Sequence, residues 1–198
     1  MAMQNIQQGK LLYHLTRLDN LESIILHGLV PRKVVKAHSV RFSDVADPMI
    51  ITRRTELGLD EYVPFHFHPY SSFDKAVKSK YSNDKFVYIT LQRSVAKEKK
   101  FKILTRHPLS GESNVELLEY DEGIKAIDWE AMHTMGTEEE YIKNVKMAEC
   151  LTALRIPSNA FNSICVKDEE TKKIVEELLT TRGIQVPPPY VNIQKWFD

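Results

Sequence analysis

At 198 residues, 42% hydrophobic and 27% charged, the chain has the size and composition of one globular domain with a real core. Its apolar runs fall short of the roughly eighteen residues a membrane helix needs, and Met1-Ala2-Met3-Gln4-Asn5 lacks a secretory pattern, so the expected address is cytoplasmic. Lysine plus arginine (27) equals aspartate plus glutamate (27), which argues against a protein that grips long duplex DNA by its phosphates and leaves room for a footprint of a few bases.

Leu11-Leu12-Tyr13-His14-Leu15-Thr16 predicts a strand, with Leu12, His14 and Thr16 on one face and Leu11, Tyr13 and Leu15 on the other. A helix follows, with Asp19 and Glu22 as a capping box, Leu21, Ile24 and Ile25 as its apolar stripe and Gly28 as its stop. Residues 38–61 are polar and turn-rich around a short helix near Pro48–Thr55. Tyr62–Tyr70 predicts a second strand, its Val63, Phe65 and Phe67 on one face and Tyr62, His66 and His68 on the other. Phe86–Gln92 and Phe101–Leu104 are further strands.

Residues 108–137 form a long excursion with a short strand expected at Val115–Tyr120, and Glu138–Ala148 is helical by composition. Phe161–Val166 is a buried-type strand, Asp168 caps an amphipathic helix through Ile174, Val175, Leu178 and Leu179, and Gly183 ends it. Pro187-Pro188-Pro189 then stiffens an extended edge segment. The sum is an α+β domain spanning residues 1–198.

Several polar groups are candidates for chemistry. His14 and Thr16 point the same way from one strand and could hold a planar carboxamide; a satisfied core histidine is the plainer reading. Arg53-Arg54 offers the planar fork that suits a pyrophosphate, or a solvated helix face. His66 and His68 have the spacing of two metal ligands but no third ligand nearby, so a wet cleft lined with Tyr62 and Tyr70 explains them better. Glu149, among Met147, Ala148, Cys150 and Leu151, is either a helix-terminal glutamate facing water or a carboxylate whose pKa partial burial would raise, making it a candidate base. The run Lys97-Glu98-Lys99-Lys100-Phe101-Lys102 reads as a solvated turn, with phosphate contact and base stacking as the alternative. Cys150 and Cys165 are too few for a disulfide scaffold or a cysteine-rich zinc site. No Walker A loop, G-x-G-x-x-G, H-E-x-x-H or G-x-S-x-G is present.

Four blocks carry a resemblance: Tyr13-His14-Leu15-Thr16-x-x-Asp19-Asn20-Leu21-x-x-Ile24-x-x-x-Gly28-Leu29; Asp47-Pro48 with Arg54; Tyr62-Val63-Pro64-Phe65-His66-Phe67-x-Pro69; and Met147-Ala148-Glu149. In order and approximate spacing they resemble the DarT toxins of DarT–DarG toxin–antitoxin systems, over most of the chain from Tyr13 to Trp196-Phe197. The resemblance implies an ADP-ribosyltransferase-like fold with a split central β-sheet and an NAD cleft, NAD as substrate and no metal. It implies that His14 and Thr16 hold the nicotinamide amide, helped by Asn20, the Gly28 turn and Tyr70. Arg54 is the implied catalytic arginine (Arg53 being the alternative) and Glu149 the catalytic glutamate. His107, Arg53 and Lys146 fall on the substrate side, and residues 108–146 form the loop region that shapes the DNA pocket.

The implied reaction transfers ADP-ribose to a base in single-stranded DNA. A carboxylate stabilises the oxocarbenium character that develops on the ribose and can take the proton of the attacking nitrogen. The implied partners are single-stranded DNA and a cognate antitoxin, a macrodomain or other ADP-ribosyl-DNA hydrolase. Where thymine-modifying members show a Pro-Met run, this chain has Tyr70-Ser71-Ser72-Phe73-Asp74. That departure, with Phe73–Val77 and Phe86–Thr90, favours the guanine-modifying branch over thymine. The rival functions are transfer to RNA or protein, and a non-catalytic nucleic-acid-binding module on the same fold.

Overall fold

The computed structural model describes residues 5–37, 42–69, 71–108, 116–136, 138–184 and 187–197. The first half runs β1 (Leu11–Arg17), α1 (Leu21–His27), α2 (Arg32–Ala37), α3 (Pro48–Glu56), β2 (Val63–His66), α4 (Ser72–Lys80), β3 (Phe86–Gln92) and α5 (Arg93–Glu98). The second runs β4 (Lys102–Leu104), β5 (Leu118–Glu119), α6 (Tyr120–Ala126), α7 (Trp129–His133) and α8 (Glu140–Val145). It closes with β6 (Glu149–Thr152), β7 (Ser163–Val166), α9 (Glu169–Thr181) and β8 (Tyr190–Ile193).

These strands make one eight-stranded sheet in the order β5-β4-β6-β2-β1-β3-β7-β8. Neighbours are antiparallel except β7 and β8. β1 and β3 pair along their whole length, Leu11 with Gln92 through Arg17 with Phe86. On its other side β1 meets β2 at one pair only, Tyr13 with His66. The expected split is therefore a pinch: two four-stranded halves meet at one rung and splay apart beyond it.

Core packing follows the strand alternation. On one face Leu12, Phe65, Phe67, Ile89 and Ile103 pack with Ile24 and Ile25 of α1, Val175 and Leu179 of α9, and Trp129 and Met132 of α7. On the other, Leu15, Tyr88, Val77 and Phe197 form a second cluster under α4. Gly123 of α6 lies so close to β4 that an added Cβ would stand 2.2 Å from the Ile103 Cβ, so only glycine allows that crossing.

Other expectations fare variously. Asp168 caps α9 by accepting from the Thr171 N–H, and the triple proline leads into β8 at the sheet edge; Asp47, not foreseen as a cap, starts α3 by accepting from the Met49 N–H. Asp19 does not cap α1: a 3-10 turn at Leu18–Asn20 intervenes, and the helix begins at Leu21 with no side-chain cap. The second strand stops at His66, because Ser71 starts α4 by accepting from the Asp74 N–H. Of the strand expected at Val115–Tyr120, Val115 lies outside the described residues, Leu118–Glu119 is a strand, and Tyr120 already begins α6. Phe101 is buried in the core, which leaves Lys97–Lys100 as a helix end and turn rather than a stacking platform.

Candidate active site

One cleft opens beside the β1–β2 pinch, walled by His14 and Thr16 of β1, Arg32 of α2, Arg54 of α3, His66 of β2, Asp74 of α4, His107 after β4, and Glu149 of β6. The strand that ends at His66 and the one that starts at Glu149 run antiparallel with these two residues opposite each other. Directly opposed residues project to the same face of a sheet. Both therefore look into the cleft.

His14 explains how the splayed strands stay together. Its Nδ1–H donates to the Pro64 carbonyl at 2.8 Å, which fixes the tautomer and leaves Nε2 as an acceptor. Burial pushes its pKa down to about 4, with the Pro64 bond working the other way, so the ring stays neutral. Burial likewise holds His68 at about 3. Both titrate near 6.5 when unfolded, so the folded form binds fewer protons as pH falls. Stability is then complete above pH 6.5 and falls as pH drops from 6.5 toward 4. Denaturant titrations across that range check this, and His14→Gln is expected to flatten part of the slope.

Thr16 is buried, and its hydroxyl accepts from Asn20 Nδ2 at 3.2 Å. Asn20 also donates to the Ser43 carbonyl at 2.9 Å and accepts from the Ser43 N–H at 2.7 Å. It clamps the loop that carries Asp44 and Val45 to the cleft and is not part of the wall itself. Gly28 is also set back. Its φ of 78° and an added Cβ only 2.8 Å from Arg155 Nε make it a close-packing glycine, while Leu29 and Val30 beyond it reach the wall.

Arg54 and Glu149 form the centre. The guanidinium grips the carboxylate in parallel, Nη1 to Oε1 at 2.7 Å and Nη2 to Oε2 at 3.0 Å, with both side chains nearly buried. Burial pushes the Glu149 carboxyl up, but Arg54, with His66 and His107, more than offsets it, and the net shift is downward. This corrects the expected raised pKa: Glu149 is held ionised and is a weak base. Arg53, one residue earlier and so roughly 100° around the helix, points away and pairs with Glu56 at 3.0 Å. Adjacent arginines on α3 thus separate cleanly into one in the cleft and one in solvent.

His107 faces the cleft with its pKa lowered by burial. Lys146 lies outside the wall, half-buried after α8 and near His68, so the structure does not bring it to the other candidates. Tyr70 lies outside the described residues. The sequence reading passed over Arg32, Asp44 and Asp74. Arg32 reaches Asp44 Oδ1 at 2.8 Å across a loop, a pairing no local pattern announces. Among the described residues, no group of three or more His, Cys, Asp or Glu could hold a metal ion, and no helix is long and apolar enough to cross a membrane.

The model of a family described as ssDNA thymidine ADP-ribosyltransferase, DarT, matches residues 13–198. The chain belongs to the DarT family. A DNA ADP-ribosyl transferase–DNA ADP-ribosyl glycohydrolase fusion protein of Thermosipho africanus is 23% identical over 188 residues, 89% of this chain and 47% of that protein. The chain thus spans about half the length of that curated relative. Among solved structures, DarT of Thermus sp. 2.9 in complex with ADP-ribosylated ssDNA gives a TM-score of 0.80 at 22% identity, covering 95% of each chain. The same DarT in complex with NAD+ gives 0.75 at 20% identity, covering 96% of this chain and 98% of that one. At these identities the likeness shows a DarT-type ADP-ribosyltransferase fold.

Proposed function

We propose that the chain transfers ADP-ribose from NAD to a base of single-stranded DNA, with guanine as the preferred base. The observation that carries this reading is the convergence of His14, Arg54 and Glu149, 135 residues apart in sequence from first to last (149 − 14), on one cleft at the sheet pinch. His14 Nε2 and the β1 edge receive the nicotinamide amide, and Arg32 supplies a second guanidinium for the cofactor's phosphates. Glu149, kept ionised by Arg54, stabilises the cationic ribose as the nicotinamide bond breaks. Residues 108–146, which follow His107 of the cleft wall, are the region assigned to shaping the acceptor side. An unpaired base avoids the opening cost of a few kcal/mol that a duplex imposes.

The family description names thymidine, and thymine is the alternative acceptor. Guanine is favoured because the residues that depart from the thymine-type Pro-Met run include Phe73 and Asp74, and both stand in the cleft wall. An ADP-ribosyl-DNA hydrolase is the fitting partner, given the transferase–glycohydrolase fusion among the relatives, and a cytoplasmic location gives access to both NAD and DNA. Mass spectrometry of nucleosides from oligonucleotides treated with protein and NAD tests the whole reading. The expected result is an ADP-ribosyl adduct on guanine, lost when only guanine is omitted. An adduct on thymine alone overturns the base assignment, and labelling of RNA or protein instead overturns the acceptor class.

A further inference from the structure

We propose that His66 is the group that takes the proton of the attacking base, and that Asp74 positions it. This rests on the transferase reading above but on neither choice of base. A ring or amino nitrogen that attacks carbon must shed a proton, and two of the other cleft groups are engaged elsewhere. Glu149 has both oxygens on Arg54. His14 has committed its Nδ1 to Pro64.

His66 stands opposite Glu149 across the β2–β6 ladder, on the same face and in the same cleft wall. Its ring stacks on Phe73, with centroids 6.2 Å apart and planes 29° from parallel. The residue after Phe73 is Asp74, 1% exposed, whose carboxylate oxygens are buried with no well-formed hydrogen bond, Ser71 at the start of its own helix being the group that draws on them. His66 Nδ1 is also buried without a partner. A donor-capable imidazole nitrogen without a partner and a buried carboxylate with no well-formed bond, both in one wall, have complementary needs. Burial raises the Asp74 carboxyl, while His66 first, and then Ser71 and Lys78, draw it down, so His66 and Asp74 feel each other's charge.

In the step, the base nitrogen forms its bond to ribose C1′ as the bond from C1′ to nicotinamide breaks. That electron pair goes to the nicotinamide nitrogen, which leaves neutral. The proton of the attacking nitrogen passes to His66 Nε2, and the resulting imidazolium, its Nδ1–H turned to Asp74, later releases it to solvent. The charged or titratable groups facing His66 are Glu149 of β6, Arg54 of α3, His107 after β4, His14 of β1 and Asp74 of α4, with His68 beyond it on its own segment.

His66→Gln and Asp74→Asn in the full chain test this. With single-stranded oligonucleotide and NAD, His66→Gln is expected to lower kcat by about 10²-fold or more while the KM for NAD stays within a few-fold. Asp74→Asn removes a buried charge that no well-formed hydrogen bond supports, so its Tm should hold or rise, yet kcat should fall and the acid limb of the kcat–pH profile should move to lower pH. A His66→Gln protein with the parent's kcat overturns the proposal, as does an Asp74→Asn protein with the parent's kcat and pH profile. If the parent itself modifies no oligonucleotide, the transferase reading falls and takes this one with it.

Discussion

Glu149→Ala is expected to lower transfer of ADP-ribose to single-stranded DNA by about 10³-fold, the upper range for losing one group aimed at transition-state charge. The cleft offers no substitute: Asp74 is the other carboxylate buried in the wall, and it stands beside His66 rather than on Arg54. Glu149→Gln separates charge from shape, since the amide can still accept from one arm of the guanidinium. If charge is what matters, the two variants lose activity alike in single-turnover assays while Gln retains more of the parent's NAD affinity. A Gln variant with more than a tenth of the parent's rate would reassign Glu149 to positioning.

Arg54→Ala is expected to carry the largest effect on stability. It strands a carboxylate that is 3% exposed, and breaking a buried pair in this way costs about 3–5 kcal/mol. For a domain of this size that is a fall in Tm on the order of 10 °C. The pH dependence should change sign with it. In the parent, the lowered Glu149 pKa gives stability that is complete above the ordinary glutamate range and is lost as pH falls through the folded value. Without Arg54, burial dominates and raises that pKa, so mild acid would neutralise Glu149 and relieve the variant. Calorimetry at neutral and mildly acidic pH checks both signs. Arg54→Ala/Glu149→Ala should regain part of the loss, because it leaves no unpaired charge.

Much of this was legible in the chain. β1, β3 and α9 follow from alternation and capping, since their signals are local. The site signals were weaker because each depends on contacts far along the chain. Glu149 looked like a base under burial because the sequence shows its apolar neighbours and hides Arg54, 95 residues away. Arg53 and Arg54 could be told apart only once α3 had a fixed rotation against the sheet. Asn20 resembled a ligand contact by its place in the first block, but its amide proves to be a clamp on Ser43, a loop residue that sequence spacing cannot bring near. Asp74 was one letter in a stretch noted only for departing from a pattern.

The single hydrogen bond from His14 to Pro64 has a consequence for any cofactor that binds there. One imidazole ring stitches the two half-sheets at their weakest seam and would present its remaining nitrogen to such a guest. Cohesion of the scaffold and recognition of that ligand would thus share five ring atoms. A dinucleotide lodged in that seam would act as a missing rung, fastening from the open side what His14 fastens from within.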